Sequence, residues 1–217
     1  MSDAPTPRCA HPMDPTAGAR FCRWPPGTLV TWNYAFPPGV SSASTLPTAG
    51  LAAVSRGVAS WAAACGVHVL YEPDPAQARV LVGFGTIDGP GGILGETELP
   101  CDGNAEAQHT MCLDVAEAWT EGLLEETARH EFGHAIGMEH SPPGTPSAMS
   151  AYLDPAIRGL QPWDVAQAQA RYPGPATPTP DLAPAAPANT QAITLKFSAP
   201  AAGDYTLTLA FSLAKDP

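Results

Sequence analysis

The sequence predicts an α+β domain with one core, and three observations carry that expectation. Five short runs rich in β-branched and aromatic residues are spaced along the first half of the chain. Three longer stretches are helical in pattern, the clearest repeating apolar residues every three or four positions. Between them the chain is dense in turn formers, with 26 Pro and 20 Gly among 217 residues, so the elements are expected to be joined by ordered loops.

Taken in order, residues 1–27 are rich in Pro, Ala and Gly, show no period and read as an extended leader. Thr28 to Ala35 is the first strand, ended by Pro37-Pro38-Gly39. From Pro47 to Ala64, Leu51, Val54, Val58, Trp61 and Cys65 mark one face of an amphipathic helix. Val67 to Tyr71 and Arg79 to Phe84 are two further strands, connected through Pro73-Asp74-Pro75. A tight glycine loop, Asp88-Gly89-Pro90-Gly91-Gly92, runs into a short strand at Ile93-Leu94, and Met111 to Val115 is the fifth. Leu123 to Ile136 is a second helix. Pro162 suits the first turn of a third, which Pro173 stops after Tyr172. Residues 174–190 alternate Pro, Ala and Thr and read as a linker. In 191–217, Ile193–Phe197 and Tyr205–Phe211 form a β-hairpin pattern, and a lone hairpin is marginal in water, so this segment either docks or opens a truncated domain.

The second helix carries the chemistry. His130-Glu131-Phe132-Gly133-His134-Ala135-Ile136-Gly137-Met138-Glu139-His140 reads H-E-x-x-H-x-x-G-x-x-H. Histidines four apart stand one above the other on a helix face and can grip one ion. Gly137 can take the left-handed conformation that stops a helix, letting the chain double back so that His140 becomes a third ligand. Three neutral imidazoles around Zn²⁺ leave one position for water. Glu131 is placed to act as general base. A purely structural zinc site would need no such carboxylate.

Bulk properties narrow the partners. With 10 Lys plus Arg against 21 Asp plus Glu, the formal net charge is −11, which disfavours nucleic acid and anionic membrane. No run of about 18 apolar residues is present to span a bilayer. Five cysteines favour an oxidising compartment, and the odd count leaves one thiol over if the rest pair. Met1 to Pro7 lacks the pattern of a signal peptide, so removal of a native export signal is expected.

Several motifs in register make residues 9–172 resemble the matrixins, the metzincin branch that includes the matrix metalloproteinases. Ser141 follows the zinc stretch directly, and Ala148-Met149 falls where that family has its Met-turn, with the methionine beneath the metal ligands. The loop Asp88 to Gly92 and the run Leu113, Asp114, Glu117, Trp119, Thr120 match the two parts of a calcium site. The chemistry agrees: Ca²⁺ takes six or more oxygens, which Asp88, Asp114 and Glu117 can supply with carbonyls of Gly89, Gly91 and Ile93. The resemblance implies a metzincin catalytic domain over 28–173, a twisted five-stranded mixed sheet with three helices and a cleft below its edge strand. Leu94 and Gly95 would lie on the edge that pairs with an extended substrate. The pocket wall would come from Ser150 to Leu160, where Met149-Ser150-Ala151-Tyr152 departs from the family pattern. An apolar preference there is implied by resemblance alone.

Glu96 and Cys112 stand where two histidines of a structural zinc would fall, so that second zinc is expected to be absent. Disulfides Cys101–Cys112 and Cys22–Cys65 are expected instead, the first closing a loop worth roughly 2–3 kcal/mol. Pro7-Arg8-Cys9, followed by Pro12 and Asp14, resembles the matrixin cysteine switch, in which a pro-segment thiolate occupies the remaining zinc position. A Cys9–Cys22 disulfide is the other reading. His68 falls in a predicted strand and reads as a satisfied or exposed histidine, and His11 and His109 lack ligand spacing. The expectation is therefore a secreted, monomeric zinc endopeptidase, with calcium as a structural ion, acting on protein or peptide substrates. Residues 1–27 would be its latency segment. The alternative is a metal-binding adhesion or interaction module with a vestigial protease site.

Overall fold

The computed structural model describes residues 8–9, 22–34, 50–101, 107–174, 191–199 and 203–211. Most of the leader, residues 47–49 of the first expected helix and nearly all of the expected linker lie outside them. By contacts the chain divides into two units, Met1–Pro178 and Thr179–Pro217.

In the first unit the strands are β1 (Arg8–Cys9), β2 (Leu29–Tyr34), β3 (His68–Tyr71), β4 (Val80–Gly85), β5 (Ile93–Thr97) and β6 (His109–Asp114). They form one mixed sheet in the order β1-β5-β6-β4-β2-β3. β2, β3, β4 and β6 run parallel, and β5 returns antiparallel to β6 with Gly95 opposite Leu113 and Thr97 opposite Met111. These five are the expected strands. The two-residue β1 is an addition from the leader, pairing parallel to β5 with Arg8 beside Ile93 and Cys9 beside Gly95.

The helices are α1 (Gly50–Ala64), α2 (Glu121–Ala135) and α3 (Pro162–Arg171). The face of α1 differs from the sequence expectation. Leu51 is half exposed, and the buried stripe is Gly50, Ala53, Val54, Gly57, Val58 and Trp61. α2 comes close along this stripe: a Cβ on Gly57 would lie 2.6 Å from the Glu125 carbonyl oxygen and 2.8 Å from the Arg129 nitrogen. Gly57 thus marks a point of close contact between α1 and α2, while Leu51, in the first turn of α1, stays half exposed. Trp61 closes the contact, donating its indole N–H to the Arg129 carbonyl at 2.8 Å.

Thr120 caps α2 by accepting from Leu123 N at 3.2 Å, and Glu121 places negative charge at the positive end of the helix dipole. The other end is a Schellman motif. Gly137 N bonds the His134 carbonyl at 2.8 Å, and Met138 N bonds the Gly133 carbonyl at 2.9 Å. Gly137 has φ 85°, and a Cβ there would collide with the Cys22 carbonyl. Trp24 fastens the same end from below, with its indole N–H on the Ala135 carbonyl at 2.8 Å. Tyr172, at the end of α3, donates its hydroxyl to Ile136 O at 2.8 Å and accepts from Trp24 N at 3.1 Å.

The disulfide pairing corrects the sequence expectation. Cys22 is bonded to Cys101, and Cys65 and Cys112 are free thiols. Neither Cys101–Cys112 nor Cys22–Cys65 forms. Cys112 sits inside β6 opposite Glu96, whereas Cys101 lies beyond the end of β5. Cys65 is buried at the end of α1 with its Sγ 3.4 Å from the Trp61 carbonyl. Cys22 passes beneath Gly137, at the end of α2. His109, expected in a polar loop, begins β6 and is buried edge-on against Trp24 at 5.1 Å.

The second unit contains β7 (Gln191–Ala199) and β8 (Gly203–Phe211), an antiparallel pair whose Ile193 lies opposite Leu209 and Phe197 opposite Tyr205. It is the expected hairpin, with β7 two residues longer at both ends and β8 two residues longer at its start. No helix among the described residues is long and apolar enough to cross a membrane.

Candidate active site

The helical repeat places His130 and His134 on one face of α2, and the Schellman turn at Gly137 returns the chain so that His140 meets them. His134 Nε2 lies 3.1 Å from His130 Nε2 and 3.2 Å from His140 Nε2. Nitrogens bound at about 2.0–2.1 Å around a tetrahedral Zn²⁺ stand roughly 3.3 Å apart, so the spacing suits that ion. All three residues are buried, and they are the one cluster of metal-binding type found among the described residues.

The ring nitrogens are oriented from behind. His130 Nδ1 is 2.7 Å from the Ala148 carbonyl, and His134 Nδ1 is 2.7 Å from the Met138 carbonyl. A carbonyl can only accept, so each Nδ1 carries the proton and each Nε2 turns a lone pair inward. Met149, fully buried, packs directly against the helix at Gly133, where a Cβ would collide with its sulfur.

Asp164, on α3, holds this turn, and the sequence reading passed over it. Fully buried, it accepts from the Ser147 hydroxyl, from Ala148 N at 2.8 Å, from Met149 N at 3.3 Å and from Gln161 N at 2.8 Å. An acid two residues after Pro162 is visible as a helix cap in sequence. Its second task, gripping the loop around Met149, has no local signature. Ser141 N bonds the Met149 carbonyl at 2.8 Å, tying the chain after His140 to the same turn.

Glu131 is 1 % exposed and lies against β5. Gly95 faces it so closely that a Cβ would come within 2.8–2.9 Å of its side chain. Thr97 donates its hydroxyl to Glu131 Oε2 at 2.8 Å. Beside His130 and Glu131, a cleft with about 240 Å³ of empty space, open to solvent, is walled by Leu94, Ala151 and Leu153 with Thr127 and Ser150. The Thr127 hydroxyl is buried without a hydrogen-bond partner among the described residues.

The three acids of the expected calcium site each accept backbone N–H groups of the 88–93 loop. Asp114 Oδ2 accepts from Asp88 N at 3.1 Å and Gly89 N at 3.0 Å. Glu117 Oε1 accepts from Gly91 N at 2.8 Å and Gly92 N at 3.3 Å, and Asp88 Oδ1 from Ile93 N at 2.8 Å. Gly89 and Gly91 have φ 93° and 83°, which other residues rarely adopt. Of Cys9, only the backbone is described.

A strand facing a glutamate beside three convergent histidines is the architecture of a metzincin-type metallopeptidase. Residues 77–173, a little under half of the chain, match the matrixin family model, so that stretch is a matrixin-type domain. A hatching enzyme of Paracentrotus lividus is 30% identical over 122 residues, covering 50% of this chain and 19% of its own length. Human matrix metalloproteinase-26 is 37% identical over 93 residues, 39% of this chain and 34% of its own. Metalloendoproteinase 1 of Glycine max is 28% identical over 149 residues, 62% of this chain and 46% of its own. The chain thus spans less than half of each of these relatives.

Proposed function

We propose that the protein is a secreted zinc endopeptidase. The observation that carries this is the convergence of His130, His134 and His140 at zinc spacing beside the buried carboxylate of Glu131. A zinc ion held there supplies Lewis acidity, making water a stronger acid and the scissile carbonyl more electrophilic. Glu131 takes the proton of the attacking water and returns it to the leaving amine. An extended peptide aligns along β5 at Leu94 and Gly95, the edge that β1 occupies in this structure, through backbone hydrogen bonds. The side chain following the scissile bond enters the cleft between Leu94, Ala151 and Leu153, whose walls suit an apolar group.

Three further assignments belong to this reading. Calcium binds at Asp88, Asp114 and Glu117 with carbonyls of Gly89, Gly91 and Ile93, supported by the hydrogen bonds that tie each acid to the same glycine-rich loop. Residues 1–27 act as a latency segment with Cys9 as the fourth zinc ligand, supported by the pairing of Cys9 with Gly95, the residue that faces Glu131. Secretion is supported by the Cys22–Cys101 disulfide, a bond that persists in oxidising compartments. Residues 28–173 are the catalytic domain, 174–190 a linker and 191–217 an appended hairpin segment.

The test is chelation. Removing zinc abolishes casein cleavage, and one equivalent of Zn²⁺ restores it. Cleavage that survives complete zinc removal contradicts the proposal.

A further inference from the structure

We propose that Thr97 is a positioning residue for Glu131, fixing the general base from the strand that lies against it. The inference rests on the peptidase reading above and adds to it a residue outside the zinc motif.

Strand side chains alternate between faces, so Gly95 and Thr97 share one face of β5 and Glu96 takes the other. The burial agrees: Thr97 is buried and Glu96 exposed. The face that Gly95 and Thr97 share is the one against which α2 lays Glu131. At Gly95 the strand supplies space, because a Cβ there would press on the Cγ, Cδ and Oε1 atoms of Glu131 at 2.8–2.9 Å. At Thr97 it supplies a donor, the hydroxyl 2.8 Å from Oε2. The glutamate side chain is thus confined at its stem by a gap of fixed size and at its tip by one directed hydrogen bond.

A glutamate has three rotatable bonds, and freezing it in a reactive orientation costs entropy. A donor already in place meets that cost before the substrate arrives. The bond is also charge-assisted and lies in a water-poor site, where such bonds are stronger than in solvent. A carboxylate offers about four lone-pair positions, so one bond to Thr97 leaves capacity for the attacking water. Thr97 acts through Glu131 and has no part in holding the metal. Were its task only to fill space, Val would serve, since Val and Thr differ in the hydroxyl rather than in shape.

The experiment compares wild type, Thr97→Val and Thr97→Ser in the full chain, loaded with zinc, on a quenched fluorescent peptide. Thr97→Val should lower kcat by about 10- to 100-fold with KM within about twofold, the signature of a misplaced base. Thr97→Ser, which restores the hydroxyl, should recover kcat to within about threefold. Zinc content and Tm, measured on each, should be unchanged. A second readout is independent of turnover. The Glu131 carboxylate stretch, identified by its loss in Glu131→Gln, should shift in the infrared spectrum of Thr97→Val and return in Thr97→Ser. An unshifted band, a Thr97→Val kcat within twofold of wild type, or a Thr97→Ser as impaired as Thr97→Val would overturn the proposal. Absence of peptide cleavage by wild type and by Cys9→Ala alike, with the infrared shift present, would strike the peptidase reading and leave the Thr97–Glu131 contact standing.

Discussion

Each imidazole of α2 is useful as a ligand because a carbonyl elsewhere fixes its proton. His130 depends in this way on Ala148, and Ala148 depends on Asp164, which holds its N–H at 2.8 Å. Replacing Asp164 with Ala would strand the Ser147 hydroxyl as a donor and the backbone N–H groups of Ala148 and Gln161, while Met149 N keeps its bond to Ser147 Oγ. Each stranded group costs about 1–3 kcal/mol. We predict a loss of about 3 kcal/mol or more in urea unfolding, and zinc affinity lowered about tenfold because the ring of His130 loses its support. Unaltered zinc affinity would break the link from α3 to the ligand. At this scale the eleven residues of the motif were legible in sequence because the helical period and one glycine place their side chains. Asp164 and Thr97 were not, since each reaches its partner only after separate elements have packed.

Helix α1 shows how an element obeys its neighbour. Its apolar period predicted a helix correctly, yet Leu51 in its first turn is half exposed, and at Gly57 α2 comes too close for a larger side chain. Gly57→Ala should therefore destabilise the protein by about 1–3 kcal/mol, although Ala favours helix, because the added methyl meets backbone on α2. A stabilised variant in thermal unfolding would contradict that account. The loop at 88–93 makes a different prediction. Burial alone would raise the Asp114 pKa, but N–H groups of Ala116, Asp88, Gly89 and Ile87 outweigh it and hold the carboxyl below its ordinary value. A carboxyl depressed on folding contributes stability that is fully present above its unfolded pKa, near 4, and lost as pH falls through its folded one. The urea midpoint should thus decline on acidification below about pH 4, and Asp114→Asn should flatten that part of the profile. Equal slopes in both proteins would contradict it.

Across the whole chain, the disulfide was the least legible feature. Its partners are 79 residues apart, and which cysteines meet depends on where β5 stops and on Cys22 passing beneath α2. Closing a loop of that length is worth about 4–5 kcal/mol in the chain-entropy model. Cys22→Ala with Cys101→Ala should lower stability by about that amount, and reduction of wild type should do the same. Burial pushes both free thiols, Cys65 and Cys112, above their ordinary pKa, with neighbouring acids adding to the effect at Cys112. Both should therefore alkylate slowly at neutral pH. Latency through Cys9 makes its own claim: Cys9→Ala should raise peptidase activity over that of the full chain, and no change would remove the switch. The positions of the five longer strands along the chain were legible because composition and spacing are local properties. The pairing of β1 with β5 was not, because two residues carry no period.

The central claim is that Glu131 performs chemistry at a zinc site that it does not help to build. Zinc content and casein hydrolysis measured together on wild type and Glu131→Ala test it most directly. The account predicts one zinc per chain in both proteins and loss of hydrolysis, by at least about a hundredfold, in the variant alone. Undiminished cleavage by Glu131→Ala at full zinc content would contradict it.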